Sequence, residues 1–127
     1  MAFFVDKDIR KAATLTTSFY KSQAIFNQLL EQFFVPSWQF IGHDDLLPNP
    51  SYAYPFMLLE DSLDEPLVLV RDKENELRCL SNVCTHRGMF LIDRPGKYPI
   101  LSCKYHGRAF ELNGQFRSMP EFQETEN

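Results

Sequence analysis

The feature that most constrains this chain is a pair of short motifs, Cys84-Thr85-His86 and Cys103-Lys104-Tyr105-His106, separated by sixteen residues. Each motif sets one thiolate beside one imidazole, side chains that transition metals favour as ligands. Each also follows a run of strand-forming residues, so two loops from neighbouring strands can close over a metal from opposite sides.

Two kinds of centre can use such a set. Structural zinc takes two cysteines and two histidines in a tetrahedron, but zinc fingers usually group Cys with Cys and His with His. Here each loop supplies one of each, and Cys-x-His is tighter than the common finger spacing. A Rieske [2Fe–2S] cluster instead needs two cysteines on one iron and two histidines on the other. Mixed loops suit it, since each can send its cysteine to the inner iron and its histidine to the outer one. Gly88 and Gly107 stand directly behind the two loops, where the backbone must bend closely around a cluster. Arg87 and Tyr105 flank the histidines, and the spacing puts the Tyr105 phenol within reach of the inner thiolates.

Around this pair the pattern is mostly β. Residues 1–20 are polar, threonine-rich and without a clear period, and are expected to form an arm. From Ser22, a plausible N-cap, Ile25, Leu29 and Phe33 recur at helical spacing, widened by Phe26 and Leu30, until Pro36 stops the helix. Trp38, Phe40 and Gly42 alternate as in a short half-buried strand. Apolar runs follow at 52–59, 67–70, 77–83 and 100–102, divided by turn residues, and 108–112 faces 115–117 across Asn113-Gly114. That dipeptide suits a two-residue type I′ turn. The spacing predicts an all-β-dominated fold: a small antiparallel β-sandwich with cluster-binding loops, preceded by one N-terminal α-helix. The expected organisation is an arm at 1–20, a cluster domain with its leading helix at 21–120, and an acidic tail or linker at 121–127.

The run Asn82-Val83-Cys84-Thr85-His86-Arg87-Gly88, taken with Cys103-Lys104-Tyr105-His106-Gly107, resembles the Rieske domain of aromatic-ring-hydroxylating oxygenase α subunits. The resemblance extends to Phe33-Phe34, to Trp38 through His43, and to Glu65 through Asp72, covering roughly residues 20 to 120. It implies a Rieske-type [2Fe–2S] cofactor held by Cys84, His86, Cys103 and His106, with Arg87, Gly88, Tyr105 and Gly107 around them. It also implies a ferredoxin or reductase as electron donor, a non-haem iron catalytic domain as acceptor, and a trimeric assembly. Two positions depart from the family's habit: Lys104 stands where Pro is frequent, and Arg108 where Trp is frequent. Both read as solvated surface, or as contacts to an acidic ferredoxin.

The family's catalytic iron needs two histidines and a carboxylate. With three histidines in the chain and two committed, only His43 remains, so no catalytic residue is assigned. A free-standing Rieske ferredoxin and a structural zinc module stay open as alternatives. A net charge of −4 gives no footing for nucleic acid, and no apolar run approaches membrane-spanning length. The opening Met-Ala-Phe-Phe-Val lacks a basic start and meets Asp6 at once, which reads as a cytoplasmic chain. Three cysteines argue against a disulfide framework. Cys79 is expected to be small and buried, His43 structural or superficial, and Met57 and the phenylalanines to fill the core.

Overall fold

The computed structural model describes residues 3–121, and the chain divides into two compact units, Met1–Phe40 and Ile41–Asn127. The expected acidic tail, apart from Glu121, lies outside the described residues. The helix predicted to open the β domain falls in the first unit.

That unit differs from the single helix and N-terminal arm predicted for it. It carries α1 (Thr17–Lys21), α2 (Gln23–Leu29) and a π-helical turn at Leu30–Phe34. Ser22 separates the helices and caps the second, its hydroxyl accepting the Ile25 N–H at 3.4 Å. The turn is widened because the Val35 N–H reaches the Leu30 carbonyl, five residues back, at 2.8 Å. Pro36 brings no N–H to continue the ladder. The strand expected at Trp38–Gly42 is absent, and Trp38 and Phe40 are almost fully exposed. Alternation alone does not make a strand when no partner strand lies alongside.

The second unit is two antiparallel sheets. β1 (Tyr52–Leu58), β2 (Glu65–Arg71), β3 (Leu77–Ser81) and β4 (Gly96–Lys97) form one in the order β3-β2-β1-β4. β5 (Leu101–Ser102), β6 (Ala109–Phe110) and β7 (Phe116–Ser118) form the other in sequence order. β1 and β2 pair over seven residues, from Tyr52 opposite Arg71 to Leu58 opposite Glu65. Pro55 sits within β1 without cost to the sheet, because β4 covers only Tyr52 and Ala53 and leaves that edge open at Pro55. The period of two along β2 sends Val68 and Val70 inward, both fully buried, where they meet Ala53, Leu91, Leu101, Phe110 and Leu112.

Several side chains go where the sequence did not put them. Phe110 alone among the described phenylalanines is fully in the core; Met57 and most of the others are partly or largely exposed. Cys79 is exposed, because β3 is an edge strand with few neighbours. The Asn113-Gly114 turn is also not type I′. Only Gly114 has a positive φ, +88°, and its N–H closes a turn onto the Glu111 carbonyl at 3.0 Å. The Gln115 N–H is taken by the Asn113 side chain at 3.0 Å, and the glycine is the left-handed fourth residue of the turn.

The β2–β3 connection is fixed by one buried carboxylate. Asp72 Oδ1 accepts the Glu74 and Glu76 amides at 3.1 and 2.8 Å, and Oδ2 accepts Arg78 Nε at 2.7 Å. Burial alone would push this carboxyl up, but the Arg78 guanidinium and the two amides outweigh it and hold it below the usual carboxylate value. With the folded value depressed, the stabilisation is complete above the ordinary carboxylate range and fades as pH falls through the folded value. Asp72→Asn is therefore expected to lower the melting temperature by several degrees at pH 7, with the gap from wild type closing in strong acid. Parallel thermal melts across pH check it; a gap constant with pH contradicts it.

Candidate metal centre

Each cysteine motif sits on a six-residue loop with the same backbone wiring. In the first, the Cys84 N–H donates to the Met89 carbonyl at 2.8 Å and the Gly88 N–H to the Cys84 carbonyl at 3.0 Å. In the second, the Cys103 N–H donates to the Arg108 carbonyl at 2.8 Å and the Gly107 N–H to the Cys103 carbonyl at 3.0 Å. The bend requires a left-handed residue four places after each cysteine, and Gly88 and Gly107 have φ of +70° and +73°. Gly107 is also crowded, since a Cβ there would stand 3.0 Å from Pro120 Cγ.

Asn82 anchors the first loop. Its buried side chain donates to the Ile92 carbonyl at 2.8 Å and accepts the Ile92 N–H at 2.9 Å, tying the strand before the loop to the segment after it. Asp93, next along, takes the Lys104 ammonium at 2.6 Å and so joins that segment to the second loop. Sequence reasoning missed the roles of Asn82 and Asp93. The signal for Asn82 was a polar residue closing an apolar strand two places before a candidate ligand.

The four candidate ligands divide by depth. Cys84 and Cys103 are 2% and 3% exposed and belong to the core itself. His86 is half-buried and His106 exposed, their rings 4.8 Å apart and inclined by 64°. Burial pushes the Cys103 thiol up, but the Tyr105 and His106 amides, with the Cys84 thiol, outweigh it and favour thiolate. Burial also lowers His86, helped by the charges of His106, Arg87 and Arg108, which favours the neutral imidazole that a metal takes. The Tyr105 phenol does not take the place expected of it. Its ring is 59% exposed and lies 3.7 Å from that of His106, and it is the Tyr105 amide that reaches the Cys103 sulfur.

The donor set fits a two-metal cluster better than a single ion. Donors around one tetrahedral zinc, at about 2.0–2.3 Å each, all lie within about 4 Å of one another. Among the described residues the one set of three or more donors converging within 4.8 Å is His43 with Asp44 and Asp45, on the surface. No three of Cys84, His86, Cys103 and His106 bring their donor atoms that close together. Thiolates inside and imidazoles outside match a cluster with chemically distinct ends.

The surroundings are basic. Residues 84–108 carry Arg87, Arg94, Lys97, Lys104 and Arg108 against a single acid, Asp93, in a chain whose net charge is −4. A cleft of about 240 Å³ opens beside the imidazoles, lined by His86, His106, Met119, Pro120 and Glu121.

Comparison with known proteins agrees with this geometry. The family described as the Rieske [2Fe-2S] domain matches residues 37–127. The biphenyl 2,3-dioxygenase α subunit of Rhodococcus jostii is 32% identical over 111 residues, 87% of this chain and 23% of that protein. The carnitine monooxygenase oxygenase subunit of Escherichia coli K12 is 34% identical over 106 residues, 83% of this chain and 27% of the relative. A solved quaternary ammonium Rieske monooxygenase superposes with a TM-score of 0.76 at 30% identity, over 87% of this chain and 29% of its own. This chain therefore spans about a quarter of the length of the relatives it matches.

Asn82→Ala leaves the buried Ile92 N–H and carbonyl without partners and is expected to cost roughly 2–4 kcal/mol. Gly88→Ala, which meets only backbone strain, is expected to cost about 1–2 kcal/mol, and Gly107→Ala more because of Pro120. Denaturant unfolding of the three variants checks the order; a silent Asn82→Ala contradicts it.

Proposed function

This chain belongs to the Rieske [2Fe–2S] domain family, and on that footing we propose that Cys84 and Cys103 hold one iron of the cluster and His86 and His106 the other. The observation that carries the assignment is the division by depth, sulfurs in the core and imidazoles at the surface. When bound, such a cluster supplies a one-electron reservoir. The chain's own residues supply the setting. The Tyr105 and His106 amides hold negative charge on the Cys103 sulfur, and the packed core around both cysteines keeps water from them. His86 and His106, at the rim, give electrons their shortest path between the core and a docked partner.

The chain serves, in this reading, as the electron-transfer domain of a Rieske non-haem iron oxygenase α subunit. It takes electrons from a ferredoxin or reductase and delivers them to a mononuclear iron in a catalytic domain. The oxygenase relatives support this reading. The solved quaternary ammonium Rieske monooxygenase is described with carnitine oxidation and inter-subunit electron transfer, which suits the trimer implied by the family resemblance. The chain itself has one histidine beyond the cluster set, His43, whose neighbours Asp44 and Asp45 bring no second imidazole. A facial triad needs two, so activation of oxygen falls to a catalytic domain beyond these residues. A free-standing Rieske ferredoxin is the alternative. The oxygenase match over 87% of the chain reaches into the leading helical unit and favours the first reading. The basic stretch at 84–108 suits an acidic donor, drawn by long-range attraction. Among the described residues no helix is long and apolar enough to cross a membrane. A cytoplasmic location is the reading that the resemblance to the oxygenase relatives supports.

Cys84→Ser and His106→Ala are each expected to leave protein poor in iron and acid-labile sulfide; full content in either variant rejects the ligand assignment. The loaded wild type is expected to take up one electron per chain, with a midpoint between about −150 and +300 mV. A potentiometric titration checks this. A midpoint near −400 mV, where plant-type ferredoxins lie, or no reducible centre, contradicts it.

A further inference from the structure

Arg108 is placed unlike any other cation of the basic stretch. Arg87 and Arg94 are exposed, and Lys104 is exposed and paired with Asp93 at 2.6 Å. Arg108 is half-buried. Its guanidinium carbon lies 4.7 Å from the centre of the Phe116 ring and 5.7 Å from that of Phe110. Its NH1 group points at Met119 Sδ, 3.7 Å away, and its buried Nε has no hydrogen-bond partner. Among the described residues no carboxylate pairs with it.

A partly desolvated cation without a counter-ion is costly to keep. Aromatic faces repay part of that cost, and more so away from water. The remainder is offset when negative charge develops nearby. Arg108 closes the second candidate loop, its carbonyl accepting the Cys103 N–H at 2.8 Å, and Met119, which its NH1 group faces, lines the cleft beside His86 and His106. Two ferric ions, two sulfides and two thiolates leave an oxidised Rieske centre formally neutral. Uptake of one electron from the donor makes it one unit more negative, with no proton required.

We propose that Arg108 is a fixed, weakly screened positive charge that stabilises the reduced state of the centre and raises its reduction potential. It acts as a tuning and positioning residue, held by Phe116 and touching no substrate. The inference rests on the functional reading above. Half-buried, it is less screened than the exposed cations, which act through water and salt.

The test is a potentiometric titration of loaded wild type, Arg108→Leu, Arg108→Gln, Arg108→Lys and Lys104→Met, each checked for iron and sulfide content. Arg108→Leu and Arg108→Gln are expected to shift the midpoint to more negative potential. Arg108→Lys should stay close to wild type, and Lys104→Met should move it less than either neutral variant. If Arg108→Leu does not load, the comparison of Arg108→Gln with Arg108→Lys decides. Neutral variants that leave the midpoint in place, or move it no more than Lys104→Met does, overturn this inference alone. A wild type with no reducible centre overturns the functional reading and this inference with it.

Discussion

Everything at the metal centre depends on one backbone arrangement used twice. A cysteine N–H reaches the carbonyl five residues ahead, while the cysteine carbonyl takes the N–H of a left-handed glycine four residues ahead, at 2.8 and 3.0 Å in both loops. This closed turn holds each cysteine at the end of the core and carries its histidine outward. The motifs differ in length between Cys and His, by one intervening residue against two, but the turns containing them do not. That constraint gives two loops of unlike sequence the same turn, as the proposed ligand assignment requires, and the two sheets supply the base beneath them.

The core and the centre are continuous. Cys84 and Cys103 pack in the same cluster as Val68, Val70, Leu101 and Phe110, so under the proposed assignment loading the site and completing the core involve the same side chains. The buried Asn82 pair with Ile92 and the Asp93–Lys104 contact then lock the two loops to one intervening segment. A reservoir for single electrons needs little structural change between its states, and interlocked loops favour that.

Much of this was legible in the chain because ligand chemistry leaves short, local marks. Two Cys/His motifs, each with a glycine at a fixed place, pointed to the candidate centre, and period-two runs revealed the sheets. What was not legible depends on neighbours that sequence does not name. Trp38 and Phe40 alternate like a strand yet find no partner strand. Cys79 lies on an edge, and edges are decided by the order β3-β2-β1-β4, not by composition. Asn113-Gly114 keeps its turn but exchanges type, because Leu112 joins it and a bulge at Ala109/Phe110 adjusts the register. Arg108 reads as a solvated charge until Phe116 is seen beneath it.

The central claim is an asymmetric pair of irons, with nitrogen ligands confined to the solvent side. The most direct measurement is pulsed EPR of the reduced, loaded protein, which detects nuclei bonded to the paramagnetic centre. Two inequivalent imidazole nitrogens coupled to it, one lost in His86→Cys and the other in His106→Cys, are the expected result. A reduced centre with no coupled imidazole nitrogen would contradict the account.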